Sequence, residues 1–271
     1  MLGSPQATPV AFVFRHRKGV WTHTQTLSNA SGSLFRRSPL ALGHDFAAIG
    51  SYETDNLNGA VFIYDKNGAG TYVFGAKLAP AAAAPLAFTG ATVVVDRNRF
   101  LAYSGGVGNN AISSFVRTGG VWFEEPSLRL PSGGVLSPDF GFSGNRAVVS
   151  GFIGGGEPAR VFIRHHDGIW SVEQTLTNPV DPQTNLGPKA ALDGRRLLIT
   201  DTSRKAVYVF ERHKASWVAT AELALPTSCE ALPTVALSGR LAVVACEDMD
   251  AGDTLWEGRV LVYELSALSE A

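Results

Sequence analysis

The chain has 271 residues and a formal net charge of −1 at pH 7, so it lacks the long-range positive field that draws proteins to nucleic acid or anionic membrane. Only 17% of its residues are charged and 29 are glycine, a composition that favours many short strands joined by tight turns. No apolar run approaches the ~18 residues that cross a bilayer, and no signal peptide is visible at the start. We therefore expect no nucleic-acid partner and no membrane insertion.

The predicted elements form hairpins from the first residues onward. After a tail over residues 1–9, an outer hairpin is predicted over residues 10–27, with a polar turn at its tip. A polar loop follows, and an inner hairpin is predicted over residues 40–50. At residue 60 the first kind of strand returns and the pattern begins again.

An aromatic residue followed six positions later by leucine is the most regular mark of this repeat. Because the two are an even number of residues apart, both point to the same face of a strand, and we expect them to pack between neighbouring repeats. A hydrophobic residue precedes the aromatic by seven positions in four copies, Phe14, Phe115, Ile163 and Phe210. The aromatic–leucine pairs are Trp21 and Leu27, Tyr72 and Leu78, Trp122 and Leu128, Trp170 and Leu176, and Trp217 and Leu223.

Each repeat of about fifty residues holds four predicted antiparallel strands and no helical period. The inner hairpins turn at pairs such as Asp193-Gly194 and Ser238-Gly239, which suit two-residue turns. Four-stranded meanders at this period are the blades of a β-propeller. The sequence therefore predicts an all-β propeller over residues 10–264 as a single domain, with a C-terminal tail over residues 265–271.

The number of blades is the open point of this prediction. Five complete units favour five blades, with the last blade closed by residues 10–27 beside residues 234–246. A further strand over residues 259–264 is then left over. The alternative is six positions with incomplete first and last blades.

One stretch resembles the FG-GAP repeat of bacterial surface proteins and integrin α-chain propellers. Its residues are Asp139-Phe-Gly-Phe-Ser-Gly-Asn-Arg-Ala-Val-Val-Ser-Gly151, followed by Ala159-Arg-Val-Phe-Ile163 and then Trp170 and Leu176. Phe140-Gly141 matches the first half of the motif, and the second half is degenerate. The resemblance implies a binding scaffold with an extracellular or cell-surface location.

The sequence departs from the family's calcium loop. In the integrin-type repeat, a D-x-D-x-D-G loop joins the first two strands of a blade. Here the same turn is two or three residues, which is too few to supply the oxygens that calcium takes. We therefore expect no metal and no cofactor. The densest acidic cluster, at residues 248–253, also lacks the full ligand spacing.

Long, varied loops follow the second and fourth strand of each unit, and these two loop sets share one rim of a meander blade. Function usually lies in variable loops on a rigid scaffold, so we place the ligand site on this long-loop rim. The candidate binding residues are Asp55, Asn56, Asn58, Asn109, Asn110, Asp201, Arg204, Asp248, Asp250 and Trp256. The alternative is that these polar side chains only serve their own turns.

Two cysteines, Cys229 and Cys246, lie in the last unit. They are interpreted as two small hydrophobic residues or, alternatively, as a disulfide that ties a loop to a strand end. Neither interpretation fixes the redox compartment.

The pattern leads to three hypotheses of function. The first is a non-catalytic propeller that binds a glycan or protein through the long-loop rim. The second is an enzyme of polysaccharide lyase or hydrolase type with a nonlocal site at the axial end of the same rim, since no local catalytic motif is present. The third is a structural fragment of a larger surface protein.

Overall fold

The computed structural model describes residues 10–28, 38–83, 85–105, 111–130, 139–150, 158–227, 229, 233–248 and 257–267. These residues form twenty-one strands and one four-residue helical segment, α1 (Thr54–Leu57). The fold is all-β, with antiparallel meander blades arranged as a five-bladed β-propeller. This confirms the fold class and the blade number that the repeat predicts.

The chain forms two compact units, residues 1–137 and residues 138–271. The N-terminal unit holds an N-terminal hairpin and two blades, A and B, each a four-stranded meander. The hairpin is β1 (Val10–Arg17) and β2 (Val20–Ser28); blade A is β3 (Leu40–Leu42), β4 (Phe46–Ser51), β5 (Ala60–Lys66) and β6 (Tyr72–Leu78); blade B is β7 (Val93–Asp96), β8 (Arg99–Tyr103), β9 (Ala111–Thr118) and β10 (Val121–Arg129).

The C-terminal unit holds blades C, D and E, of which the first two have four strands and the last has three. Blade C is β11 (Phe140–Ser143), β12 (Arg146–Val149), β13 (Arg160–Arg164) and β14 (Trp170–Thr175); blade D is β15 (Ala190–Asp193), β16 (Arg196–Asp201), β17 (Ala206–His213) and β18 (Ser216–Ala224); blade E is β19 (Thr234–Ser238), β20 (Leu241–Asp248) and β21 (Glu257–Glu264).

The strand composition of blade E corrects the sequence-based expectation. The strand that was left over, β21, pairs with β20 from Leu241↔Glu264 to Asp248↔Glu257. It therefore takes the third place in the blade, and β1–β2 forms a two-stranded sheet of its own. Continuous backbone pairing along β20 satisfies the edge that an inner hairpin alone would leave open.

The outer strand pair of most blades contains a β-bulge that shifts the sequence register. In blades A, C and D the register shifts at Tyr64, Phe162 and Phe210, and the N-terminal hairpin shifts at Phe14. The residue equivalent to Phe210 in blade C is Phe162, and not Ile163 as the seven-residue spacing predicts. The cause is the hairpin turn, which has one residue more before Trp170 than before Trp217.

The inner hairpins have tight turns at the predicted glycines, but each two-residue turn begins at the glycine, one residue later than the sequence pairs suggest. Gly194 and Gly239 are the first central residues of their turns, with φ of +59° and +57°. The side chain before the turn of blade D binds the turn of blade E: the Gly239 N–H donates to Asp193 Oδ2 at 2.7 Å. The turns therefore also link neighbouring blades of the C-terminal unit.

Only some of the repeat aromatics are buried between blades. Trp217 is 3% exposed and lies in the core between blades C and D, and Tyr72 is buried beside the N-terminal hairpin. Trp21, however, is 67% exposed and stacks on His16. The expectation that every repeat aromatic is buried is therefore wrong for Trp21.

Candidate functional site

The structure places five of the ten predicted binding residues with their side chains. Asp55, Asn56 and Asn58 share the loop between β4 and β5 in the N-terminal unit, and Asp201 and Arg204 lie around the β16–β17 loop of the C-terminal unit. Asp248 ends β20, but its side chain is outside the description. Asn109, Asn110, Asp250 and Trp256 fall outside the described residues.

The β4–β5 loop contains a left-handed turn. Asp55, Asn56 and Leu57 have φ of +54°, +57° and +69° in succession. Asparagine and aspartate adopt this conformation more easily than other residues, whereas a leucine there is uncommon. Backbone outliers of this kind persist only where the surroundings hold them, and they concentrate at functional sites.

A second loop holds this turn in place. The N–H groups of Phe88 and Thr89 donate to the carbonyls of Leu57 and Asn58, both at 2.9 Å, and the Leu86 N–H donates to Asn58 Oδ1 at 3.0 Å. Leu86 and Phe88 also have positive φ. We call residues 54–58 and 86–89 the rim patch of the N-terminal unit.

The two loops of the rim patch approach each other closely, and several of their side chains are exposed. A Cβ on Gly59 would lie 2.2 Å from the Thr89 carbonyl oxygen, so only glycine allows the two loops to approach this closely. Asp55, Asn56, Leu57 and Leu86 are exposed. Asp55, with half of its side chain accessible, forms an ion pair with Lys77 at 2.7 Å. The patch therefore presents a carboxylate, amides and two apolar side chains on a fixed backbone.

Asp201 has a structural role. It is buried, its Oδ2 accepts a hydrogen bond from Asn178 Nδ2 at 2.8 Å, and its Oδ1 accepts from Ser203 Oγ at 2.6 Å. The backbone N–H groups of Ser203 and Arg204 also donate to Oδ1. The contacts of Oδ1 hold the β16–β17 loop, and that of Oδ2 ties this loop to Asn178 in the loop after β14, as in the alternative interpretation of the sequence. Asp201 is thus not available to a ligand.

A pair that sequence reasoning missed lies at the ends of the long loops that lead into β11 and β15. Asp139 Oδ2 lies 2.9 Å from Lys189 Nζ, immediately before these two strands. Burial raises the pKa of Asp139 above its usual value, although the charge and hydrogen bond of Lys189 act in the opposite direction. No local motif marks such a pair, because its members are fifty residues apart. A shared position before the first strand of each blade is the only signal.

The cysteine question is settled in favour of the alternative interpretation, since Cys229 and Cys246 form a disulfide. The described residues contain no group of three or more His, Cys, Asp or Glu side chains placed to hold a metal ion. Within the same residues, no helix is long and apolar enough to cross a membrane.

Comparison with solved structures supports the fold. A Bacteroides uniformis protein provisionally assigned as a 6-phosphogluconolactonase superposes with a TM-score of 0.61 and 13% identity, covering 94% of this chain and 79% of its own. A protein of unknown function from Desulfotomaculum acetoxidans gives a TM-score of 0.59 and 12% identity, over 96% of this chain and 84% of that one. At such identities the likeness shows the fold alone.

No protein-family model matches the chain, and neither does the sequence of any curated protein. The resemblance to FG-GAP repeats is therefore supported only at the level of the propeller fold.

Proposed function

We propose that this chain is a non-catalytic binding propeller that recognises a ligand through its long-loop rim. The observation that carries the proposal is the rim patch, where Asp55, Asn56 and Leu57 adopt left-handed conformations yet expose their side chains. A loop that only connected β4 to β5 would not need three consecutive residues in this region. Exposed leucines beside amides favour a protein ligand over a glycan, because they offer apolar area to bury.

The disulfide supports an extracellular or cell-surface location, which we also propose. Disulfides persist in oxidising compartments and are rare where glutathione keeps thiols reduced. The same location is what the resemblance to surface propellers implies.

A substitution at Leu57 tests the rim patch without damaging the fold. Leu57→Asp places a residue that tolerates positive φ at a position where leucine is strained, so we expect unchanged or slightly higher stability. Binding to proteins and glycans displayed on arrays should fall at least tenfold, because an apolar contact becomes a charge. Val121→Asp, an exposed position at the opposite end of blade B, is the matched control. Equal binding by both variants would refute the rim patch as the site.

One observation favours an enzyme as the second candidate. Asp139 combines a raised pKa with a lysine partner, and active sites often contain such perturbed groups. Polysaccharide lyase and hydrolase assays of the native chain and of Asp139→Asn test this candidate. Turnover that Asp139→Asn abolishes would replace the binding proposal, whereas no turnover in either protein supports it.

A further inference from the structure

The turn between β5 and β6 of blade A contains an asparagine followed by a glycine, Asn67-Gly68. Both residues are exposed. In such a pair the backbone nitrogen of the glycine can close a five-membered ring with the side-chain amide carbon of the asparagine, so the two groups react within one chain. Glycine favours this reaction, because it has no Cβ to shield the nitrogen and its backbone rotates freely.

The Gly68 nitrogen has the open surroundings that this attack requires. In the described part of the chain the Gly68 N–H donates no hydrogen bond. A Cβ built on Gly68 would have no atom within 4 Å of it. Solvent therefore reaches the nitrogen and can remove its proton.

The side chain of Asn67 is held with its carbonyl group polarised. Asn67 Oδ1 accepts a hydrogen bond from the Thr71 N–H at 3.1 Å. This bond draws electrons away from the amide carbon, and it stabilises the negative charge that the oxygen acquires when the glycine nitrogen attacks, as backbone donors do in oxyanion sites. The turn thus places an accessible nitrogen next to an activated carbonyl carbon.

The three other Asn-Gly and Asp-Gly pairs of the chain use the glycine N–H in a hydrogen bond. The donors and acceptors are Gly59 and Thr54 O at 2.8 Å, Gly168 and His165 O at 3.1 Å, and Gly194 and Ser143 Oγ at 3.0 Å. Of these glycines only Gly59 follows an asparagine, Asn58, and Gly59 is buried. Reaction at Asn58 must first break the hydrogen bond of a buried N–H group, which slows it. Asn58-Gly59 is therefore an internal control made of the same two residue types.

We propose that Asn67 is a site of non-enzymatic modification, at which the Gly68 nitrogen closes a succinimide ring. The nitrogen gives its proton to hydroxide and bonds to the side-chain amide carbon of Asn67. The bond from that carbon to the amide nitrogen then breaks, and the leaving group takes a proton from water and departs as ammonia. Water adds to one of the two ring carbonyls and opens the ring to aspartate or to isoaspartate. The site lies at the opposite end of β5 from the rim patch, so the inference does not depend on the rim function.

The modification changes the turn in two ways. It replaces a neutral amide by a carboxylate, and isoaspartate adds a carbon atom to the main chain. The Asn67 carbonyl accepts a hydrogen bond from the Gly70 N–H at 2.8 Å, and the Gly70 carbonyl accepts one from the guanidinium of Arg15 in β1. Isoaspartate at position 67 therefore displaces the Gly70 carbonyl and loosens the contact between this turn and the N-terminal hairpin.

Peptide mass spectrometry of the native chain, incubated at neutral and at mildly alkaline pH, tests the proposal. Conversion should be at least about tenfold faster at Asn67 than at Asn58. It should also be faster at the higher pH, because the attacking nitrogen must lose its proton. In urea, where neither turn is formed, the two sites should react at similar rates. The unfolded chain thus separates protection by the fold from a difference in local sequence.

Gly68→Ala is the matched variant. The added Cβ has no atom within 4 Å and the φ of Gly68 is not left-handed, so the fold should be kept, which the urea midpoint checks. The methyl group shields the nitrogen, and conversion at Asn67 should fall at least about tenfold. Three results would overturn the proposal. They are equal native rates at Asn67 and Asn58, no conversion at Asn67, and a Gly68→Ala variant that reacts as fast as the native chain.

Discussion

At the scale of single residues, equivalent arginines in three blades form the same kind of ion pair. Three arginines at the start of second strands, Arg99, Arg146 and Arg196, each pair with a glutamate. Glu173 accepts hydrogen bonds from Arg146, Arg212 and the indole N–H of Trp217. It is also the extra residue of the β14 bulge, which turns its side chain toward blade D. These contacts connect two blades of one unit.

The tryptophans give the first prediction at this scale. Trp217→Ala removes a buried side chain and its hydrogen bond to Glu173, so the free energy of unfolding should fall by about 3–5 kcal/mol. Trp21→Ala, the same change at the equivalent but exposed position, should cost less than about 1 kcal/mol. Urea denaturation followed by circular dichroism measures both. Equal losses would show that Trp21 is buried in solution.

Glu173 gives a prediction of pH dependence. Burial raises its pKa, but the hydrogen bonds from Arg146 and Trp217 and the charges of Arg146 and Arg212 outweigh burial and hold the pKa below the ordinary value. A carboxylate with a depressed folded-state pKa stabilises the protein above its unfolded pKa of about 4.3, and this contribution disappears as pH falls through the folded value. Glu173→Gln should therefore lower stability at pH 7, and its difference from the native chain should shrink as the pH falls below about 4.3.

The control for this change is Glu264→Gln, which alters an exposed glutamate in the same unit. Urea titrations at several pH values between about 3 and 7 should show almost no effect of this variant. A loss at Glu173→Gln that stays constant over the whole range would mean that the carboxylate charge is not what stabilises the contact.

At the scale of elements, a disulfide links two parts of blade E. The disulfide joins the loop before β19 to β20 across 17 residues. Buried hydrophobic residues, among them Leu225, Ala242 and Val244, pack around it. The disulfide thus ties the loop before β19 to the second strand of blade E.

Removal of the disulfide gives the element-scale prediction. Closing a loop of this length contributes roughly 3 kcal/mol in the chain-entropy model. The double variant Cys229→Ala/Cys246→Ala should therefore unfold at lower urea concentration, with a loss of about 2–4 kcal/mol. Hydrogen exchange should localise the loss to β19–β21 and leave blades A and B unchanged. An unchanged midpoint would indicate that the two thiols are not linked in solution.

At the scale of the whole molecule, β21 is the segment whose place the repeat left undecided. It pairs along the length of β20 and packs Leu261 and Tyr263 onto the core of blades D and E. A strand with this much pairing and burial is part of the blade. Its loss would expose both the second edge of β20 and the apolar residues beneath it.

Truncation tests this placement. Deleting residues 257–271 should destabilise the C-terminal unit by several kcal/mol, since it removes the apolar contacts of Leu261 and Tyr263, uncovers the core residues beneath them and removes a row of backbone hydrogen bonds. Limited proteolysis should then cut within residues 233–248 first. A truncated chain with native resistance to protease would show that β21 only adds at an edge.

The sequence alone determined the features that depend on local periodicity. The Gly194 and Gly239 turns and the aromatic–leucine spacing were enough to predict four-stranded blades, because strand period and turn conformation are set by neighbouring residues. They also located Asp55, Asn56 and Asn58 on an exposed loop. These three are the predicted residues that the structure brings together in the rim patch.

Only the tertiary structure decided what depends on distant contacts. The left-handed turn at Asp55–Leu57 is held by hydrogen bonds from residues 86–89, and Asp139 forms an ion pair with Lys189, fifty residues away. The carboxylate of Asp201 accepts hydrogen bonds from Asn178 and Ser203. The exposure of Trp21, Leu40 and Leu42 likewise depends on which strands lie beside them. A repeat gives equivalent positions the same residues, but burial depends on neighbours in space, and these differ at the ends of the repeat array.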